Sequence, residues 1–278
     1  MTVWVMAKLT FREAARRWII WVALLLGMLF LGVYGIGFNE IHKDILRQSS
    51  GNQVMSGEIY NFLLQAGLYV VNFLTMIMGV LTSVDTLSGE ISSGTVHTLV
   101  SKPVRRWQIL IGKWVGYLGM LTLYLLLMAG GVIMITRGIG GYTTPNPLSG
   151  LILMWLNVAL VLCLTFWGGA ALSTLANGAM VFGLYGVAFI GGWIEQFGSF
   201  LKNTAAINVG IVSSLIFPAE ALWRRAAFEM QSPLVKSLGG FSPLTSVSVP
   251  SPLMVIYSVL YAVVALGWAI YIFDRRDL

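Results

Sequence analysis

Residues 114–136 read Trp-Val-Gly-Tyr-Leu-Gly-Met-Leu-Thr-Leu-Tyr-Leu-Leu-Leu-Met-Ala-Gly-Gly-Val-Ile-Met-Ile-Thr, and this stretch decides the fold class. The run carries no charged side chain, and about 20 such residues form an α-helix long enough to cross the hydrocarbon layer of a bilayer. Backbone N–H and C=O groups in lipid must be satisfied within the chain, which a helix achieves. We therefore interpret residues 114–136 as a membrane-spanning helix.

Five further apolar runs have a similar length and predict further spans at 18–38, 61–84, 151–176, 178–197 and 252–273. Hydrophobic residues make up 57% of the 278-residue chain and charged residues only 10%, against about 25% charged in a typical soluble domain. The sequence thus predicts an all-α polytopic membrane protein, with six transmembrane helices in one domain, 1–278. The fourth and fifth spans are expected to meet in a tight turn at residues 175–178.

Basic side chains mark one side of the predicted bundle, which the positive-inside rule assigns to the cytoplasm. Both termini are then cytoplasmic, and the protein is a multi-pass protein of the cell membrane. The formal charge of +6 is small and lies beside the spans, which argues against nucleic-acid binding. The basic residues of this side are Lys8, Arg12, Arg16, Arg17, Lys102, Arg105, Arg106, Lys113, Arg275 and Arg276.

Two segments outside the spans are predicted to be helical. Residues 1–17 have basic residues on one side and apolar residues on another, which fits an interfacial helix or an ordinary basic flank of the first span. Residues 198–251 form an external loop before the last span. Within it, residues 205–217 are apolar but short for a span, so they are re-entrant or, as the alternative, a seventh span. Residues 218–230 resemble an amphipathic helix with i,i+4 pairs Glu220–Arg224 and Arg225–Glu229.

The loop at 85–113 is the one long, organised polar segment between two apolar runs. Asp85 can cap a short helix, Gly94 can end it, and Pro103 stops a second short element. Glu90 is the lone acidic group in its centre and can accept a charge-assisted bond from a basic residue of a partner. The alternative is a solvated cytoplasmic loop without a partner.

Polar residues inside the spans are few. Glu195 is the acidic residue within a predicted span, near its outer end, where we expect it to reach lipid headgroups or Lys202. A polar stripe on one face of the second span could line a substrate path or a dimer seam, or could simply bond to neighbouring helices. The stripe consists of Asn61, Gln65, Asn72, Thr75 and Thr82.

Catalytic and metal-binding patterns are missing from the sequence. Cys163, His42 and His97 are isolated and have no ligand spacing. A phosphate-binding Gly-x-x-x-x-Gly-Lys-Ser/Thr loop is also missing, because the nearest segment has Trp107 and Trp114 at two of its required positions. We expect no cofactor in this chain and no enzymatic activity of its own.

The loop sequence Glu-Ile-Ser-Ser-Gly-Thr-Val-His-Thr-Leu-Val-Ser-Lys-Pro-Val-Arg-Arg at 90–106, followed by Gly112-Lys113, resembles the signature loop of the ABC type-2 (ABC-2) permease family. Residues 217–225, Phe-Pro-Ala-Glu-Ala-Leu-Trp-Arg-Arg, look like the outer loop of that family. The resemblance extends over the whole chain, from the interfacial helix to the short tail.

This resemblance implies a permease subunit of an ATP-binding cassette exporter that works by alternating access. ATP and Mg would be bound by a separate ATPase subunit, and a second copy or a homologous permease would complete the translocator. The loop after the second span would be the coupling helix on that ATPase. The coupling residues would be Glu90, Gly94, Thr95, Pro103, Arg105 and Arg106.

Two rival functions are a stand-alone secondary transporter or channel without an ATPase and, less favoured, an intramembrane enzyme. The first requires intramembrane charges or discontinuous helices, and the second requires a catalytic constellation. The apolar spans favour lipids, amphiphilic drugs or peptides over free ions as cargo. The sequence leaves homodimer and heterodimer both open, and an accessory protein as well.

Overall fold

The computed structural model describes residues 2–48, 53–92, 105–233 and 248–275. Within these ranges the secondary structure consists of α-helices and contains no strand. The helices are α1 Thr2–Arg16, α2 Trp18–Gln48, α3 Gln53–Ser83, α4 Asp85–Ser92, α5 Arg106–Gly140, α6 Pro147–Ala171, α7 Thr174–Phe200, α8 Thr204–Ile216, α9 Ala219–Met230 and α10 Pro252–Arg275.

Six of these helices are long and apolar enough to cross a membrane, in agreement with the six predicted spans, and a seventh crossing is added if α8 and α9 together form one span. The six are α2, α3, α5, α6, α7 and α10. Helices α3 and α6 are the central ones, with 61% of their most apolar windows buried, whereas α2 has 11% and α10 has 17%. The outer helices therefore leave most of their apolar surface to the surrounding lipid.

The junction between the fourth and fifth spans lies earlier than the sequence suggests. Helix α6 ends at Ala171 and α7 begins at Thr174, so the predicted turn at 175–178 is wrong. Asn177 and Gly178 look like turn residues, but Asn177 is buried in the first turns of α7. Its side chain donates to the carbonyl oxygens of Thr165 and Val84, and these bonds to neighbouring helices favour a helical position over a turn.

Helix α1 packs on α5 through small residues. Ala7, Thr10 and Ala14 are its buried residues, and they share one face because they lie three and four positions apart. A Cβ atom on Gly116 of α5 would come within 2.8 Å of the Ala7 carbonyl oxygen, so the absence of a side chain permits this approach. Trp4 lies on another side of α1 and is 73% exposed. The position of α1 at the membrane interface stays a prediction.

Helices α8 and α9 form a bent pair with an angle of 108° between them. The bend occurs at Phe217 and Pro218, where helical hydrogen bonding is interrupted, and Asn203 caps the start of α8 by accepting from the amides of Ala205 and Ala206. Such geometry belongs to a re-entrant loop or to a broken span, so the two alternatives for residues 205–217 both stand.

The helix predicted at residues 218–230 is present as α9, and it lies buried inside the bundle. Most of its residues, including Trp223 and Arg224, are less than 5% exposed. It packs on α6, where Gly150 makes room for Met230, and Gln65 of α3 donates to the Ala227 carbonyl oxygen at 3.1 Å. Charged residues of α9 form ion pairs, Arg224 with Glu195 of α7 and Arg225 with Glu229.

A buried ion pair joins α7 to α9. Nη1 of Arg224 lies 2.7 Å from Oε1 of Glu195, and Nη2 donates to Oε2 at 2.8 Å. Glu195 is 5% exposed and pairs with Arg224, so the expected pairing with Lys202 is wrong; Lys202 lies exposed at the turn between α7 and α8. Contact of Glu195 with lipid headgroups stays a prediction. Arg224 takes Glu195 as its partner, whereas helix spacing predicts Glu220. The predicted Arg225–Glu229 pair is confirmed at 2.9 Å.

Glu195→Gln should destabilise the protein by about 3–5 kcal/mol, because removing one charge of a buried pair leaves the other uncompensated. Glu229→Gln is the matched control, since the side chains of Arg225 and Glu229 are 22% and 23% exposed and a pair of this kind contributes about 0–1 kcal/mol. Thermal unfolding of the two variants in detergent measures the difference. Equal unfolding temperatures would contradict the structural importance of the buried pair.

Candidate functional site

A polar elbow joins α3 to α4 at the basic end of the bundle. The basic end is the end that carries α1, α4 and the start of α5. Helix α3 ends at Ser83, Val84 forms a turn, and α4 starts at Asp85. In α4, Leu87 is 2% exposed and Ser88 is 7% exposed. The start of α4 is therefore packed into the bundle rather than free in solvent.

Hydrogen bonds tie this elbow to the turn between α6 and α7. Ser88 Oγ lies 2.8 Å from Thr174 Oγ1, and Thr174 Oγ1 donates to Asp85 Oδ1 at 3.2 Å. Asn177 Nδ2 donates to the Val84 carbonyl oxygen at 3.3 Å and to the Thr165 carbonyl oxygen at 2.9 Å. One amide group thus joins the C-terminal part of α6, the first turns of α7 and the α3–α4 elbow.

Close backbone approach makes this junction feasible. A Cβ atom on Gly168 would overlap the side-chain oxygen of Asn177, and one on Gly169 would lie 3.4 Å from Leu87 Cβ. Gly168 near the end of α6 therefore provides the space for Asn177, whereas a Cβ atom on Gly169 would make an ordinary contact with α4. In the sequence both glycines read only as general packing residues.

Two further bonds connect the elbow to α5 and to the α1–α2 corner. Thr86 Oγ1 donates to the Tyr117 hydroxyl of α5 at 2.8 Å, and the Tyr117 ring packs edge-on against Phe166 of α6. Arg17, between α1 and α2, donates from Nη1 to the Thr82 carbonyl oxygen at 3.5 Å. The elbow thus bonds to α5, to α7 and to Arg17 between α1 and α2.

The predicted coupling residues are only partly visible in the described ranges. Glu90 belongs to α4, but its side chain is outside what the structure describes, and Gly94, Thr95 and Pro103 lie outside the described residues. Arg105 is exposed and extended before α5. Arg106 donates from Nη1 to the Asp274 carbonyl oxygen at 3.2 Å, which connects the start of α5 to the end of α10. Their role in coupling stays a prediction.

Sequence reasoning missed the residues that hold the elbow: Thr86, Ser88, Tyr117, Thr174 and Asn177. Their polarity beside span ends was the only signal, and it did not reveal which helices they join.

The polar stripe of α3 points into the bundle. Asn61, Gln65, Asn72 and Thr75 are all 0–1% exposed. Asn157 of α6 donates to Asn72 Oδ1 at 3.2 Å, and Thr75 donates to its own helix at the Val71 carbonyl oxygen. Bonds from the stripe to neighbouring helices agree with the alternative of interhelical bonding. A role of the stripe in a substrate path or a dimer seam stays a prediction.

At the other end of α3, Asn61 Oδ1 accepts from the Tyr142 hydroxyl at 3.1 Å and from the Ser232 amide at 3.2 Å. Burial raises the pKa of Tyr142 to about 12, so its hydroxyl keeps the proton that it donates. Asn61 thereby holds the α5–α6 connection and the segment after α9 against α3.

No group of three metal-ligating side chains occurs among the described residues. Cys163 is buried and has no disulfide partner.

Asn177→Ala should destabilise the protein by about 1–3 kcal/mol, because the buried Val84 and Thr165 carbonyl oxygens lose their shared donor. We also expect faster amide hydrogen exchange in α4. Asn208→Ala, at an exposed position of α8, is the matched control and should leave both properties unchanged. Exchange in α4 that is the same in both variants would contradict the role of Asn177 as the anchor of the elbow.

Comparison with known proteins identifies the family of this chain. The chain matches one protein family over residues 4–278, nearly its whole length, and the family is described as "ABC-2 family transporter protein". A search of curated proteins found no match. The ABC-2 family comprises membrane components of transporters, and multiple apolar helices are what such a component requires. The chain therefore belongs to the ABC-2 family of transporter proteins and is a multi-pass membrane protein of that family.

Proposed function

We propose that this chain is the permease subunit of an ATP-driven exporter and receives mechanical work at the α3–α4 elbow from a separate ATPase subunit. The observation that carries the proposal is the set of hydrogen bonds from the elbow to the α6–α7 turn and to α5. Membership of the ABC-2 family supports the transport function. The cytoplasmic position of the basic end follows from the positive-inside rule.

The elbow is suited to pass on a displacement because it is bonded to several spans at once. Asp85 and Ser88 contact Thr174 at the start of α7, and Thr86 contacts Tyr117 of α5. Packed helices move as rigid elements that shift or rotate against each other. A force applied to α4 would therefore act on α3, α5 and α7 together.

The ATPase activity belongs to another polypeptide in this proposal. A phosphate loop needs glycine amides around the phosphates and a hydroxyl residue for Mg²⁺, and residues 107–114 have tryptophan at both ends of that pattern. ATP and Mg would be bound by the partner ATPase. Glu90 on α4 would accept a charge-assisted hydrogen bond from a basic residue of that ATPase.

A second permease copy, or a homologous permease, would complete the translocator. The stripe of α3 is buried within one chain, so a seam formed by it would require helices to separate. A row of aromatic side chains on α7, which runs from buried Tyr185 to exposed Phe197, supports a contact between copies at its exposed end. Neighbouring rings from Tyr185 through Phe189 and Trp193 to Phe197 have centroids 5.9–6.4 Å apart, and Phe197 is 46% exposed.

A stand-alone secondary transporter is the second candidate. Buried Glu195 and Arg224 are charged groups in apolar surroundings, and α8 and α9 form a sharply bent pair. Both features are common at the binding sites of secondary transporters. Transport by the purified chain in liposomes without ATP or an ATPase would favour this candidate.

Glu90→Lys tests the exporter proposal. The variant replaces a carboxylate by a charge of the opposite sign on α4, so an ATPase that docks through a basic residue should lose a charge-assisted bond. We expect permease-stimulated ATP hydrolysis to fall about tenfold, which corresponds to about 1.4 kcal/mol of docking energy. The assay uses the ATPase that co-purifies with the unmodified chain.

Glu40→Lys is the matched control, because it makes the same change on an exposed residue of α2, at the other end of the bundle. It should leave the stimulation unchanged. Equal stimulation by the two variants would reject docking at Glu90, and failure of the unmodified chain to co-purify with any ATPase would reject the exporter proposal itself.

A further inference from the structure

A cavity of about 480 Å³ lies between α8 and α10 at the end of the bundle opposite to the basic end. Its floor is formed by Glu195 and Arg224 together with Ser214 and Ser248, and its walls are apolar. The wall residues are Ile207, Ile211, Leu215, Leu253, Met254 and Tyr257. The volume is typical of a site for a small organic molecule, for which about 300–1,000 Å³ is usual.

The polar floor has no net charge of its own. Arg224 and Glu195 form the ion pair described above, Ser248 donates to Glu195 Oε1 at 2.5 Å, and Arg224 donates to Ser214 Oγ at 3.3 Å. Nε of Arg224 is buried and finds no acceptor among the residues that the structure describes. A guanidinium group suits a phosphate oxygen, and the neighbouring carboxylate attracts a cation. Because the two side chains are only 2% and 6% exposed, contact with a headgroup requires the residues above them to move aside.

The apolar walls open toward the outside of the bundle. Leu253 is 72% exposed, Leu215 is 49% exposed and Ile211 is 44% exposed. Leu253 belongs to the first turn of α10, and Glu195 lies near the end of α7, so the cavity is at the level where these spans leave the membrane. Phospholipid headgroups occupy that level, with the acyl chains directly below.

We propose that this cavity binds a bilayer phospholipid with a zwitterionic head, which places its phosphate and ammonium at the Arg224–Glu195 floor and the upper part of one acyl chain along α8 and α10. An anionic lipid headgroup carries no positive group that could pair with the carboxylate of Glu195. A zwitterionic headgroup carries both charges and therefore matches the Arg224–Glu195 pair better. The cavity holds only part of a lipid. The proposal does not depend on an ATPase or on the direction of transport.

Photolabelling in nanodiscs tests this site. The purified chain is placed in phosphatidylcholine nanodiscs that contain a small fraction of phosphatidylcholine with a diazirine in the upper part of one acyl chain. After irradiation, mass spectrometry locates the labelled residues. We expect preferred labelling of Ile211, Leu215, Leu253, Met254 or Tyr257 over other lipid-facing residues.

Ile211→Trp should fill the cavity and reduce this labelling about tenfold, equivalent to about 1.4 kcal/mol of binding. Val212→Trp is the matched control, because Val212 is 56% exposed and does not line the cavity; it should keep the labelling. Both variants change an exposed part of α8, and size-exclusion chromatography verifies that they fold.

Equal labelling of the two variants, or labelling spread evenly over the lipid-facing helices, would overturn the site. The selectivity is tested with diazirine phosphatidylglycerol, an anionic lipid, in matching phosphatidylglycerol nanodiscs. Labelling of the cavity that is several-fold weaker than with phosphatidylcholine supports the zwitterionic head, and equal labelling overturns it.

Discussion

Threonines inside this apolar bundle can bond to their own helix, but buried amide and charged side chains find hydrogen-bond partners on other elements, and the arrangement of this protein depends on those partners. An unpaired polar group in such surroundings costs free energy, so each bond fixes the position of two elements. Asn157 bonds to Asn72 and Gln65 bonds to the backbone of α9. Arg224 binds Glu195. These few bonds place α6 and α9 against α3 and hold the bent α8–α9 pair beside α7.

The same constraint explains why the basic end forms one connected unit. The carbonyl oxygen of Val84 at the α3–α4 turn accepts from Ser88 Oγ of α4 at 3.0 Å and from Asn177 Nδ2 of α7 at 3.3 Å. Hydroxyl groups of Thr86, Ser88 and Thr174 extend the connection to α5 and to the start of α4. A displacement of α4 is opposed by bonds rather than absorbed by a loose loop, and this is the property that a force-transmitting element needs.

Length and hydropathy predicted the six spans because a bilayer imposes a minimum apolar length on any helix that crosses it. Details set by contacts between distant residues could not be predicted in this way. Asn177 and Gly178 have the composition of a turn, yet bonds to α3 and α6 keep Asn177 helical. Glu195 lies 29 positions from Arg224 in the chain, so a local search for its partner reached Lys202. The location of the candidate site, in the loop at 85–113, was predicted from the polarity of that loop and its resemblance to a family. The residues that anchor the elbow, such as Thr174 and Asn177, were not predicted.

The contact between α1 and α5 has a consequence for biosynthesis. Ala7 and Thr10 face Gly116, which the ribosome adds about a hundred residues later, or roughly 5–20 s at the usual rate of synthesis. During that interval the surface of α5 on which α1 packs does not yet exist. The packing of α1 must therefore wait until α5 has been synthesised, long after α1 itself.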